Sequence, residues 1–342
     1  MTTSAAIYGC AGTTLSAAER SFFRDADPFG FILFARNVAT PEQVRALVAD
    51  LRASVGRADA PVLIDQEGGR VRRLRPPHWR ASPPASAFAA LYARDHDAAV
   101  EASRLNGRLL AAELLALGID VDCAPVLDVP VAGAHDVIGD RAFGHAPEPV
   151  IALGGAQAEG LLAGGVMPVA KHIPGHGRAM ADSHLELPVV DASLDELRAS
   201  DFAPFRALAD IPWGMTAHVL YRALASNRPA TTSERIVADV IRGWIGFDGF
   251  LLSDDLSMKA LGGSFGERAR LSLDAGCDAV LHCNGRMEEM TAIADAVAPL
   301  SSVARIRLDR ANARRAAAFD HADAATLARH RYRLAVLLDG LV

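Results

Sequence analysis

Eight short, mostly apolar runs punctuate the chain: Ala6–Cys10, Gly30–Phe34, Pro61–Asp65, Ile119–Pro125, Val166–Lys171, Trp213–Ala217, Gly249–Ser253 and Cys277–His282. Each has strand length. Several lack the apolar/polar alternation of a half-solvated sheet, as expected for strands covered on both faces of a parallel sheet. Longer amphipathic segments lie between them. Thr40 suits a helix N-cap and Pro41 the first helical position. Ala98–Leu117 carries Leu105, Leu109 and Ala112 at helical spacing, and Ser233–Ile245 and Phe265–Ala275 follow the same scheme. This alternation predicts an α/β fold, a single (β/α)8 TIM barrel. A doubly wound open sheet is the alternative, weakened because no GxGxxG follows the first run. Arg75–Pro84 reads as a long loop after the third strand. The Ala/Arg/Leu-rich Ile306–Leu341 reads as closing helices, so one domain is expected over residues 1–342, with closing helices at about 302–342.

Polar residues repeatedly end the apolar runs: Asp65, Asp128, Lys171-His172, His218 and Asp254-Asp255. In a parallel barrel the C-terminal strand ends and the loops after them build the active site, so these groups are expected to converge on one mouth.

Composition narrows the class. Of 342 residues 51% are hydrophobic and 22% charged, which supports a large core and excludes pervasive disorder. The net charge of −6 argues against a nucleic-acid-binding surface, and Arg70–Arg80 is the one basic cluster. Four cysteines without a CxxC pair do not make a disulfide scaffold. No secretory signal and no transmembrane run is visible, so the expectation is a cytoplasmic protein that neither enters a membrane nor binds nucleic acid; protein partners are not readable.

Three segments carry chemistry. The densest is Lys171-His172-Ile173-Pro174-Gly175-His176-Gly177, followed by Asp182-Ser183-His184. It reads in three ways: a Gly-rich turn with incidental histidines, a zinc site using His172, His176 and Asp182, or a flexible catalytic loop. Pro174-Gly175 disfavours a helical i,i+4 ligand pair, and the catalytic reading is preferred. In it Lys171 and His172 bind substrate hydroxyls and His184 carries a proton, oriented by Asp182, which favours the charged imidazole. In the second segment, Phe250–Met258, a strand ends in two carboxylates. Side chains alternate along a strand, so at most one is expected to enter the mouth; Asp254 would be a nucleophile or a stabiliser of a cationic transition state, against the bland reading of a cap or surface acid. In the third, Ile64–Arg73, Asp65 and the following arginines suit vicinal hydroxyls, although a structural Asp–Arg pair fits equally well.

Together with Gly30–Asn37 and Val137–Arg141, these segments resemble the bacterial β-N-acetylhexosaminidases of glycoside hydrolase family three, the NagZ-type enzymes of peptidoglycan recycling. The likeness runs from about Gly30 to Asn284. The resemblance implies a barrel with no metal and no organic cofactor. It implies retaining cleavage of terminal N-acetylglucosamine from a small carbohydrate or muropeptide, such as N-acetylglucosaminyl-1,6-anhydro-N-acetylmuramic acid. It assigns Asp254 as nucleophile, His184 as acid/base with Asp182 as partner, and Asp65, Arg73, Arg141, Lys171 and His172 to sugar binding. Arg178, beside the loop glycine, and the arginines after Arg73 depart from the family pattern. A family glycosidase of other sugar specificity, a phosphorylase, and a catalytically silent sugar-binding barrel are the competing functions.

Overall fold

The computed structural model describes residues 3–224, 227–339 and 341. Eight parallel strands close into a barrel: β1 (Ser4–Gly9), β2 (Pro28–Leu33), β3 (Val62–Ile64), β4 (Val121–Asp122), β5 (Met167–Ile173), β6 (Trp213–Thr216), β7 (Phe250–Asp255) and β8 (Ala279–His282). Each pairs with its neighbours in sequence, and β8 closes on β1 with Ala6 opposite Val280. All eight fall within or beside the apolar runs. The open-sheet alternative is thereby excluded.

Strand alternation sorts the side chains into two cores. Ile7, Leu63, Val121, Met167, Met215, Leu252 and Leu281 point inward and fill the barrel. Their neighbours, among them Phe31, Val62, Val166 and Val280, face the helices. Each fully buried aliphatic or aromatic side chain contributes about 1.5–3 kcal/mol. Both strand faces are therefore stabilising, which is why the runs read as continuously apolar.

Local signals set the helix ends. Thr40 caps Pro41–Ser54 by accepting from the Gln43 N–H. Asp95 caps His96–Leu115 through the Ala98 N–H, so that helix starts and ends two residues before the segment read from apolar spacing. The Ser233–Ile245 segment narrows to Ile236–Trp244 and winds more loosely, as a π-helix. Ser264 and Glu267 form a reciprocal capping box at Phe265–Asp274. Helix Ser302–Ala318 covers the N-terminal end of the barrel, where Ala304 and Ala311 join the interior core. Helix Ala324–Leu337 lies against His96–Leu115 and adds Leu334 to the outer core.

The loops after the strands are the longer ones. β3 runs into a hairpin (Gln66–Gly68 with Val71–Arg72) whose turn uses Gly68 and Gly69, both at positive φ. The segment 73–84 that follows has neither strand nor helix. Residues 174–188, after β5, carry the histidine-rich motif.

Candidate active site

At the C-terminal end of the barrel is a cleft of about 480 Å³. Asp65, Arg73, Arg141, Lys171, His172, Asp182, His184 and Asp254 all line it. Every residue singled out for catalysis or sugar binding thus reaches one cavity, from the ends of β3, β5 and β7 and from the loops after β3, β4 and β5.

A chain of charges forms one wall. Asp65 accepts from Arg73 at 3.0 Å and from the Lys171 ammonium at 2.7 Å. Lys171 also lies 2.7 Å from Glu67. Glu67 takes a two-pronged contact from Arg141 at 2.8 and 2.9 Å. Burial alone would raise both carboxyls, but the cations beside them outweigh it and hold both below their ordinary range. For Lys171 burial acts downward; Asp65 and Glu67 reverse it and hold the ammonium above its ordinary value. Arg73 also lies over the Phe34 ring, 5.2 Å from its centroid. The wall presents fixed donors and acceptors, a surface suited to sugar hydroxyls.

His172 is held from behind. Its Nδ1 lies 2.6 Å from Asp128, which is fully buried and also accepts from the His176 backbone N–H at 2.6 Å. Neither Glu67 nor Asp128 was assigned a site role from sequence. Asp128 had a signal, as a polar end to an apolar run; Glu67 had only its place inside the Ile64–Arg73 motif.

On the opposite side, β7 delivers two carboxylates. Its register on β8 shifts between Leu252 and Asp255, which breaks strict alternation. Asp254 and Asp255 therefore both line the cleft, and the expectation that at most one would do so is corrected. Their environments differ. Asp255 accepts from the Ser257 N–H at 3.0 Å and the Cys283 N–H at 3.1 Å, which commits it to the loop structure. Among the described residues Asp254 accepts from the Asp255 N–H alone, at 2.8 Å. Burial pushes Asp254 up; His218, His172, that N–H and Lys171 more than offset it and hold the carboxyl below its ordinary value. His218, buried after β6, lies against the Asp255 backbone carbonyl through Nε2 at 3.0 Å and Thr231 Oγ1 through Nδ1 at 2.7 Å. Burial pushes its pKa down against the pull of Asp254, and Nε2, which faces a carbonyl, donates.

The loop after β5 brings in the remaining pair. His184 Nδ1 lies 2.7 Å from Asp182 Oδ1, which also accepts the His184 backbone N–H at 2.9 Å. Burial acts to raise the Asp182 carboxyl, but these two contacts hold it below its ordinary range. The His184 side chain is 65% exposed, so its ring stands at the rim. Between the two, Ser183 is buried, with Oγ 3.2 Å from His176 Nε2 and its carbonyl accepting from Ala260 N. Burial, then His172, pushes His176 down to about 4, which leaves it a neutral partner. His172 and His176 are thus engaged within the loop framework. Among the described residues no group of three or more His, Cys, Asp or Glu side chains is arranged to hold a metal ion.

A family model, the glycosyl hydrolase family 3 N-terminal domain, matches residues 12–317, which hold the motif residues and β2 to β8. The chain belongs to glycosyl hydrolase family 3. Its relatives include a "Beta-hexosaminidase" of Alkalilimnicola ehrlichii, 44% identical over 81% of this chain and 80% of that protein. Another, of Methylococcus capsulatus, is 43% identical over 81% of this chain and 82% of that one. The crystal structure of NagZ from Neisseria gonorrhoeae in complex with N-trifluoroacetyl-D-glucosamine superimposes with a TM-score of 0.86 at 34% identity. That match covers 100% of this chain and 98% of that one. Within the family the chain is of the bacterial NagZ type, and it is a glycoside hydrolase.

Proposed function

We propose that the protein is a retaining exo-β-N-acetylglucosaminidase. It removes terminal N-acetylglucosamine from 1,6-anhydro-muropeptides during peptidoglycan recycling. The observation that carries this reading is that one cleft holds an ionised, lightly bonded Asp254 and a carboxylate-bound imidazole at its rim. A wall of hydroxyl-matching charges completes the cleft.

In this mechanism Asp65, Arg73, Arg141, Lys171 and His172 bind the hydroxyls of the terminal sugar. Asp254 attacks the anomeric carbon as the bond to the leaving oxygen breaks, through a transition state with oxocarbenium character. His184, held by Asp182, gives its proton to that oxygen. Water then attacks the glycosyl-aspartate, His184 takes the proton back, and Asp254 leaves as carboxylate. The depressed Asp254 pKa keeps the nucleophile charged at neutral pH. The exposure of His184 suits a group that must meet first a large leaving group and then water. Each proton transfer is worth on the order of 10²–10⁴ in rate.

The test is hydrolysis of the p-nitrophenyl β-glycosides of N-acetylglucosamine and of glucose by wild type and Asp254→Ala. A strong preference for the N-acetyl sugar, lost in a folded variant, is expected. Turnover by Asp254→Ala near the wild-type level would remove Asp254 as nucleophile. Preference for glucose would remove the peptidoglycan role, and a sugar phosphate formed in phosphate buffer would replace hydrolysis by phosphorolysis.

A further inference from the structure

The loop carrying Asp182 and His184 has a second attachment that the mechanism does not use. Arg178, two residues after His176, turns its guanidinium away from the cleft. Its Nε donates to Asp201 Oδ2 at 2.6 Å. Asp201 is 1% exposed and follows helix Leu194–Ala199. Its other oxygen, Oδ1, is buried and has no hydrogen-bond partner among the described residues, so Arg178 is the side chain there that neutralises it. Burial pushes the Asp201 carboxyl up to about 6, and Arg178 pulls against that rise.

The loop is closely fitted to this point. Gly175 has φ +144°, and a Cβ added to it would come within 3.0 Å of both the Cβ and the carbonyl oxygen of Asp201. The Tyr221 hydroxyl donates to the Gly175 carbonyl. A Cβ at Gly177 would lie 2.1 Å from the Val129 carbonyl oxygen. From Gly175 to Arg178 the backbone is therefore pressed between Asp201 and Val129. Beyond Arg178 the loop alternates: Ala179 and Ser183 are buried and bonded, whereas Met180 is 63% exposed and Leu185 65%. Arg178 fastens the root of the loop, and Ser183 is its next buried anchor.

We propose that Arg178, through its ion pair with buried Asp201, is a positioning residue that holds the Asp182–His184 pair at the cleft. This rests on the assignment of His184 as acid/base. Freed from Asp201, the root of the loop gains conformations in which His184 no longer meets the leaving oxygen. Displacement of that order costs rate through lost orientation, without touching Asp254 or the sugar wall. The burden falls on leaving groups that need a proton.

The experiment compares Arg178→Ala, Arg178→Lys, Asp201→Asn and His184→Ala with wild type. Two substrates are used: p-nitrophenyl N-acetyl-β-glucosaminide, which leaves with little protonation, and an N-acetylglucosaminyl disaccharide, which needs it. Arg178→Ala is expected to lose on the order of ten- to a hundredfold in kcat on the disaccharide, a part of the whole acid contribution. On the aryl glycoside it should lose less than about threefold, with KM little changed on both. Arg178→Lys should recover part of the loss. Asp201→Asn should match Arg178→Ala, and the double variant should be no worse than either single one, as for residues acting through one contact. Thermal melting shows that each variant is folded; should Arg178→Ala unfold, the same comparison is read from Arg178→Lys and Asp201→Asn. Equal losses on both substrates, or none, would overturn the proposal. His184→Ala separates the two readings. If it shows the leaving-group split and Arg178→Ala does not, only the positioning role fails; if it shows no split, the acid/base assignment fails.

Discussion

Glu67 offers a sharp test of how the charged wall works, because one carboxylate serves two cations. Its side chain is 7% exposed, and its partners Arg141 and Lys171 are 12% and 3% exposed. Glu67→Ala leaves Arg141 without the two-pronged partner and Lys171 with Asp65 alone. Removing one member of a buried ion pair costs about 3–5 kcal/mol, mostly from the charge left behind. For 342 residues the unfolding entropy is roughly 0.7 kcal/mol/K, so the melting midpoint should fall by about 4–7 °C. Glu67→Gln keeps the shape and one acceptor and should lose less. Activity should fall with stability, since Lys171 and Arg141 both lean on Glu67 for their orientation. With the sugar contacts loosened, KM for p-nitrophenyl N-acetyl-β-glucosaminide should rise in both variants. The assays are thermal melting near neutral pH and steady-state kinetics well below the midpoint. A Glu67→Ala protein that loses under about 1 kcal/mol and keeps its KM would show that Asp65 alone holds the wall, and would refute the reasoning.

Three other outcomes are expected. Asp128→Asn keeps an acceptor for the His176 N–H but places an amide opposite His172 Nδ1, inverting donor and acceptor there. A misdirected buried hydrogen bond costs about 1–3 kcal/mol, or roughly 5- to 150-fold in kcat/KM, and unchanged kinetics would contradict the role given to Asp128. Burial pushes Asp122 up to about 7, so its native carboxyl holds a proton that the unfolded chain releases near pH 4. Stability should therefore fall as pH rises from about 4 to 7 and level off above. Asp122→Asn should remove that slope, worth about 4 kcal/mol by pH 8, whereas parallel melting curves against pH for the two proteins would count against it. Gly177→Ala places a Cβ 2.1 Å from a backbone oxygen that cannot swing away, so loss of activity on the disaccharide is expected, and a fully active variant would show the loop root to be looser than described.

The barrel was legible in the residue order because its determinants are local. Strands buried on both faces read as unbroken apolar runs, Thr40-Pro41 marks its own helix start, and a polar residue ending a run marks the end of the barrel that does chemistry. The loop motif from Lys171 to His184 was legible for the same reason, with its Asp182–His184 contact spanning two residues. Tertiary structure decided what lies far apart in sequence. Lys171 meets Asp65 across 106 positions, Arg141 meets Glu67 across 74, and His172 meets Asp128 across 44. A charged residue written in a sequence carries no sign of which opposite charge will be folded against it, so Glu67 and Asp128 went unassigned. The same limit applies to Asp254 and Asp255: alternation predicts one of them at the cleft, and a register shift that only the neighbouring strand reveals brings both. Arg178 marks the boundary between the two kinds of knowledge. Its place beside the loop glycine is visible in the sequence, but its meaning comes from Asp201, a buried carboxylate 23 residues away that the fold alone puts within reach.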